Sequence, residues 1–250
     1  MHDGRTQGGW IALSLAMVIS TGVAAYAWQH VKTQPATRTL KVTGSAKKQI
    51  TSDEIQWTAH IETTHTDRTT AYRNLHAHVK TTMVYLSSEG LSEDEIRVSA
   101  TDVEENYRTE HMGTGKDQIR RSVFVGYTTS QSISVRSSRV GLVERLSREV
   151  TQLLERGVPI SSSQPSYYYT KLGELKIEML AAASRDARER AVNIVAQAGG
   201  GELGKLQYVD MGVINVNPVN SPSTSWQGNS DTTSLEKDII TVVHARFALQ

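Results

Sequence analysis

The chain has 250 residues, a formal net charge of +1 and no cysteine. Without thiols it has no disulfides, no thiolate nucleophile and no Cys-ligated zinc or iron–sulfur site. A near-neutral charge with no long basic run argues against nucleic acid as a partner.

After a short tail, residues 1–9, the segment 10–28 reads WIALSLAMVISTGVAAYAW and carries no charge. A helix over it is roughly 28 Å long, against ~30 Å for the hydrocarbon core of a bilayer. Trp10 stands at one end and Tyr26 and Trp28 at the other, where interfacial aromatics belong. The expectation is an uncleaved transmembrane signal-anchor with the membrane as its partner. The second reading is a signal peptide cut near Ala27, in the Ala25-Tyr26-Ala27 site, which leaves a soluble periplasmic protein; the apolar stretch is long for that. With no cysteine behind it, the segment does not mark a lipoprotein. Asp3 and Arg5 precede it, and Lys32, Arg38, Lys41, Lys47 and Lys48 follow. That balance does not favour export of the C-terminal part.

Residues 29–37 form a linker with Pro35, and 38–250 are long enough for one large domain or two small halves with a real core. A first strand covers 39–47. Residues 54–64 alternate, with Ile55, Trp57, Ala59 and Ile61 on one face, as in a half-buried antiparallel strand. Asp67 caps a helix whose apolar positions are Tyr72, Leu75, Val79, Met83 and Leu86, and Gly90 ends it. A strand over 96–107, a turn at 111–118 and a long strand over 119–136 make a hairpin. Thr129 and Gln131 fall on the apolar parity of the long strand, so a bend or bulge is expected midway. A helix over 138–156 turns Val143, Leu146, Val150, Leu153 and Leu154 inward.

A short strand, 164–170, shows Tyr168 on one face and Tyr167 and Tyr169 on the other. The longest helix, 172–198, has a seam of Leu172, Leu175, Met179, Ala183, Ala187, Ala191, Ile194 and Ala198. Gly199 to Gly201 stop it. Strands at 204–215 and 237–249 close the chain, separated by a long polar loop, 216–236, that carries Trp226. Loops of that length are usually functional or disordered, and the lone tryptophan is expected to fold back on its domain, the alternative being insertion into a neighbouring subunit or a membrane surface.

Candidate chemistry is sparse. Arg185, Asp186, Arg188, Glu189 and Arg190 read as a solvated helix face with i,i+4 pairs, Asp186–Arg190 and Arg185–Glu189. His76 and His78 lie on different sides of their helix, and His60 and His65 sit on a strand and in the turn after it. No metal motif and no G-x-S-x-G setting is present. Glu93-Asp94-Glu95 reads as a solvated loop, and Gly113 and Gly115 as a hairpin tip. No catalytic, cofactor-binding or metal-binding residue is assigned, and no cofactor is expected.

Two segments carry a family resemblance. One is Val42-Thr43-Gly44, followed by a strand entering at Asp53. The other is Ala181-Ala182-Ala183-Ser184-Arg185-Asp186-Ala187-Arg188-Glu189-Arg190-Ala191, leading to Gly199 and Leu203-Gly204. In this order they resemble the SIMPL domain family, also called DUF541, over residues 38–250. Many members place proline before the aspartate, where this chain has Thr51-Ser52. The resemblance implies an α+β fold of two β-rich halves, with helices packed on antiparallel or mixed sheets, behind the N-terminal transmembrane helix. It implies a bacterial envelope protein, anchored in the inner membrane with its C-terminal domain in the periplasm. Some members are ring-forming or channel-like oligomers, and some are linked to oxidative-stress tolerance. No catalytic residues are established for the family. The expectation is a non-enzymatic assembly protein that forms a homo-oligomer. The alternative is an envelope module for a small molecule or lipid, its pocket lined by Tyr167–Tyr169 and the Trp226 loop.

Overall fold

The computed structural model describes residues 4–32, 38–112, 119–199 and 201–250; in the first stretch, side chains are described from Ser14 to Gln29. Helix α1 spans Gly4–Lys32. From Ser14 to Gln29 every residue is exposed, Leu15, Met17, Val18, Ile19 and Val23 included. Among the described residues no helix is long and apolar enough to cross a membrane. Part of the expected span, Trp10 to Leu13, lies outside the residues with described side chains, and residues 33–37 of the linker lie outside the described residues.

The remainder is α+β with two antiparallel sheets, each covered by helices on one face. One sheet is built on β2 (Glu54–His65) and β5 (Ile119–Ser137), in the order β3-β5-β2-β6. Here β3 is Ile96–Val98 and β6 is Ile160–Ser162. Strand β4 (Asp102–Met112) adds to β5, and β7 (Ser166–Tyr168) adds to β2. Helices α2 (Arg68–Ser88) and α3 (Val140–Glu149, continued by a 3-10 segment, Val150–Arg156) lie on it. Alternation in β2 drives this half: Ile55, Trp57, Ala59 and Ile61 are all buried against Leu75, Leu86, Leu146 and Leu153. Asp67 starts α2 by accepting the Thr70 N–H at 2.8 Å. Its inward face is Ala71, Leu75, Val79, Thr82 and Leu86, while Tyr72 is half exposed. Thr82 is tolerated there because its hydroxyl donates to the His78 carbonyl at 2.9 Å.

The expected strand 96–107 is two strands, β3 and β4, both paired to β5. The chain jogs at Ser99, whose N–H donates to Ser132 O at 2.9 Å while its hydroxyl accepts the Ser132 N–H at 3.0 Å. The expected irregularity in β5 lies at Val125, next to Gly126, rather than at Thr129 and Gln131. Those two stay on their parity because hydrogen bonds satisfy them. Thr129 donates to Ala71 O at 3.2 Å, and Gln131 donates to Ser99 O at 2.9 Å. The long helix expected over 138–156 tightens to 3-10 geometry after Glu149, which leaves Leu154 half exposed.

The second sheet is three-stranded, β1-β9-β8, with β1 Thr39–Thr51, β9 Glu236–Leu249 and β8 Leu203–Pro218. Helix α4 (Leu172–Ala198) lies along one face. Its buried seam is Leu175, Met179, Ala183, Ala187, Ala191 and Val195; the last place goes to Val195, four residues after Ala191, and Ile194 is half exposed. Opposite it, Val42, Ile239, Val243, Ala245 and Phe247 are buried. The alternate residues of β1 and β9 form an open face away from the helix.

Candidate functional site

The two family segments meet in space. Gly44 lies directly under α4: a Cβ on it would stand 2.2 Å from Ala183 O and 2.4 Å from Ala187 N. The alanines of the helix and the glycine of the strand are therefore one close crossing. Asp186 locks it, accepting the Ser45 N–H at 2.7 Å and pairing with Arg190 at 2.9 Å. These contacts hold the Asp186 carboxyl below the usual range, the Ser45 N–H first and Arg190 second. The Asp186–Arg190 pair is thus present, but Asp186 is a helix–sheet tie rather than a purely solvated residue. Arg185 and Glu189 line a shallow surface depression with Arg188 and Val192.

Asp53 is a second tie. Its carboxylate accepts the Thr170 N–H at 2.7 Å and the Thr170 hydroxyl at 2.9 Å, holding the approach to α4 against the β1–β2 corner. Ser52 beside it donates its N–H to Leu235 O at 2.9 Å, a bond that proline cannot make. The residue that departs from the family pattern is therefore used here to fasten the end of the long loop.

That loop is ordered by polar contacts. Asn215 Oδ1 accepts the N–H groups of Ser225 and Asn229 at 2.8 and 3.1 Å. Asn229 donates to Asn217 Oδ1 at 2.8 Å, and Tyr167 N–H donates to Thr232 O at 2.8 Å. Val216 and Ser230 form a parallel bridge, so the loop also covers one end of edge strand β8. Beneath it Lys237 is 1% exposed and donates to Asp231 O, with the Asp231 carboxylate 3.6 Å away. Burial pushes the Lys237 ammonium down, and the charge of Asp231 opposes that.

Trp226 folds back as expected but is not buried. It stacks on His244 with ring centroids 6.4 Å apart and remains 86% exposed. Its depression is lined by Val213, Asn215, Val242 and His244, not by the tyrosines expected beside it. Tyr167 belongs to the core of the other half, where burial raises its hydroxyl pKa, and Tyr168 is exposed at its edge.

A feature that periodicity did not single out is the arm formed by the outer parts of β4 and β5. Residues Tyr107–Met112 pair with Ile119–Phe124, beyond the end of β2 at His65, and among the described residues no third strand joins them. The tip expected at Gly113 and Gly115 lies outside the described residues. None of the described arm residues is buried, and Tyr107, Met112, Ile119, Phe124 and Val125 are all exposed. Tyr107, Phe124 and Tyr127 stack edge to face at 5.7 and 5.1 Å, one face of the arm running aromatic at its base. The bulge at Val125 and Gly126 (φ +143°) re-aims the arm; a side chain at Gly126 would meet His65 O at 2.8 Å. The signal for the arm was the length of β5 set against the shorter β2.

The acidic run 93–95 is not a simple solvated loop. Ser92 heads a short 3-10 turn, and Glu95 reaches Arg139, Ser137 and Ser92. Burial raises the Glu95 carboxyl, but the hydrogen bonds from those three residues together outweigh it and hold the pKa at about 2, against 4.5. A depressed carboxylate stabilises the fold above the unfolded pKa, and that stability is lost as pH falls from about 4.5 to about 2. Glu95→Gln is expected to lower stability at pH 7 by about 1–2 kcal/mol, after allowance for solvent screening of a part-exposed pair. It also flattens the acid limb of a urea-midpoint profile; an unchanged acid limb counts against this assignment.

His60 and His65 bond within their own sheet and turn, to Ser132 and to Asp67. Among the described residues no three His, Asp or Glu side chains are grouped to hold a metal.

These features define a two-lobed α+β domain, one lobe of which is held by a close helix–strand crossing. The family model for SIMPL, described as a protein of unknown function (DUF541), matches residues 40–247, and the chain belongs to that family. A comparison with curated proteins finds no match.

Proposed function

We propose that this chain is a membrane-anchored, non-enzymatic assembly protein whose domains self-associate through the β4–β5 arm. The arm carries the reading. A two-stranded ribbon is marginal in water on its own, yet this one extends for roughly 20 Å at ~3.4 Å per residue with no third strand against it among the described residues. Its cross-strand pairs put Tyr107 and Phe124 on one face and Met112 and Ile119 on the other. Within the arm β4 carries Arg108 and Glu110, paired with each other at 2.8 Å, and β5 carries Arg120 and Arg121, so charged side chains flank the apolar pairs. A net charge of +1 sets little repulsion against association.

Residues 10–28 would supply the anchor, with the domain exported to the periplasm. The uncharged run from Thr6 to Gln29 and the exposed apolar side chains of α1 support this. A link to oxidative-stress tolerance rests on the family resemblance alone.

The absence of cysteine makes the test clean. Thr109→Cys in the full-length chain in membranes is expected to form dimers with a short bifunctional maleimide. Thr81→Cys, on the exposed side of α2, is not. Equal cross-linking at both positions, or none at Thr109, overturns the arm as the interface.

A further inference from the structure

We propose that the open face of the three-stranded sheet, between Trp226 and Arg246, binds a planar aromatic monoanion such as an aromatic carboxylate. The register places Lys41, Arg246 and Tyr208 in one row across the three strands. Thr43, His244 and Asp210 form the adjacent row on the same face, one side-chain repeat away.

His244 borders two adjoining depressions. One, of about 250 Å³, lies under Trp226; the other, of about 340 Å³, lies beside Tyr208 and Arg246. Together they reach the size of small-molecule sites.

The chemistry of the two depressions differs. The first offers aromatic surface. Trp226 stands exposed against His244, on a loop whose backbone at Ser225 and Asn229 is pinned by Asn215. The second offers positive charge. The Arg246 guanidinium lies 5.8 Å from the centre of the Tyr208 ring. Its Nε is buried without a hydrogen-bond partner, and among the described residues no carboxylate lies within 4.0 Å of Arg246 or Lys41. The two neighbouring cations are therefore not neutralised by an acid among the described residues, and a carboxylate is the anion that matches a guanidinium.

His244 Nδ1 and the Thr43 hydroxyl share a hydrogen bond at 3.0 Å, which fixes the imidazole between the two depressions. Asp210, facing His244 on the edge strand, is the one acid in these two rows. It disfavours a second negative charge on the ligand, which selects a monoanion. A ring under Trp226 with its carboxylate toward Arg246 satisfies both depressions at once.

The test is calorimetric titration of the full chain in nonionic detergent with 2-naphthoate, against a detergent-only blank. Saturable binding at about 10⁻⁴ M is expected. The neutral 2-naphthylmethanol and the non-aromatic cyclohexanecarboxylate should each bind about tenfold more weakly, one contact being lost in each case. Arg246→Gln should weaken 2-naphthoate about tenfold without changing 2-naphthylmethanol, while Trp226→Ala weakens both naphthyl compounds. Lys41→Gln, at an exposed position, repeats the charge test if Arg246→Gln disturbs the sheet. The proposal is overturned by absence of saturable 2-naphthoate binding to the wild-type chain. Equal affinity for the acid and the alcohol overturns it too, as does binding that Trp226→Ala and Lys41→Gln leave unchanged.

Discussion

Gly44→Ala is expected to destabilise the C-terminal half by about 3 kcal/mol, the upper part of the range for overpacking. The added carbon would stand 2.2, 2.4 and 2.7 Å from Ala183 O, Ala187 N and Ala187 Cβ. Two of those three atoms are backbone, so no rotamer change relieves the contact. The helix would have to lift from β1, stretching the Ser45–Asp186 hydrogen bond and opening the packing of Val42, Ala187, Ala191 and Phe247. Shortening Ala187 to glycine removes one of the three clashes and is not expected to rescue the variant. Gly141→Ala is the control. Gly141 sits in α3 with nothing within 4 Å of where its Cβ would stand, and alanine there should be neutral or stabilising by up to about 1 kcal/mol. Chemical unfolding followed by far-ultraviolet circular dichroism checks both; equal midpoints for the two variants would remove the crossing as the keystone of this half.

Asp231→Asn is expected to be similarly damaging, at about 3 kcal/mol, because it leaves the Lys237 ammonium buried with no opposite charge. Lys237 is 1% exposed, and Asp231 provides both its carbonyl contact and its only nearby carboxylate among the described residues. Asp231 also shapes the loop, accepting the N–H and hydroxyl of Thr233 at 2.9 and 2.8 Å. Lys237→Met in the Asp231→Asn background should recover much of the loss, since an apolar side chain of similar length needs no partner. A double-mutant cycle on urea midpoints measures the coupling. If the two changes simply add, the pair is not what holds the loop down. Replacing 219–235 by a short turn should be worse still, because it bares Asp238, whose carboxylate accepts from Lys47 and from the Asn220 N–H at 2.8 Å each.

The parts of this fold that the sequence made legible are those where one physical signal dominates. The alternation in β2 named Ile55, Trp57, Ala59 and Ile61 correctly because that strand is buried on one side only. The seam of α4 was legible from Leu175 to Ala191 because apolar and small residues recur there at four-residue steps in an otherwise charged helix. Where several local choices have similar energies, the pattern was silent. The jog at Ser99 and the extra strand β6 are settled by hydrogen bonds to segments distant in sequence, and the 3-10 tightening after Glu149 by the local turn that Gly157 closes. The same holds for Glu95 and Lys237, charged residues whose burial depends on partners that no period announces. The open face of the second sheet was partly legible: Trp226 stood out in its polar tract, but only the register of β1, β9 and β8 brings His244, Arg246 and Lys41 beside it.

The most direct measurement of the assembly proposal is the solution mass of residues 38–250 by sedimentation velocity, set beside the full chain and a Tyr107→Ser, Phe124→Ser variant. The wild-type fragment is expected to be larger than a monomer in the tens of micromolar, within the range of weak self-association. The variant is expected to be monomeric with an unchanged circular dichroism spectrum, since neither residue belongs to a buried core. A wild-type chain that is monomeric both as the fragment and with its N-terminal helix would contradict self-association outright.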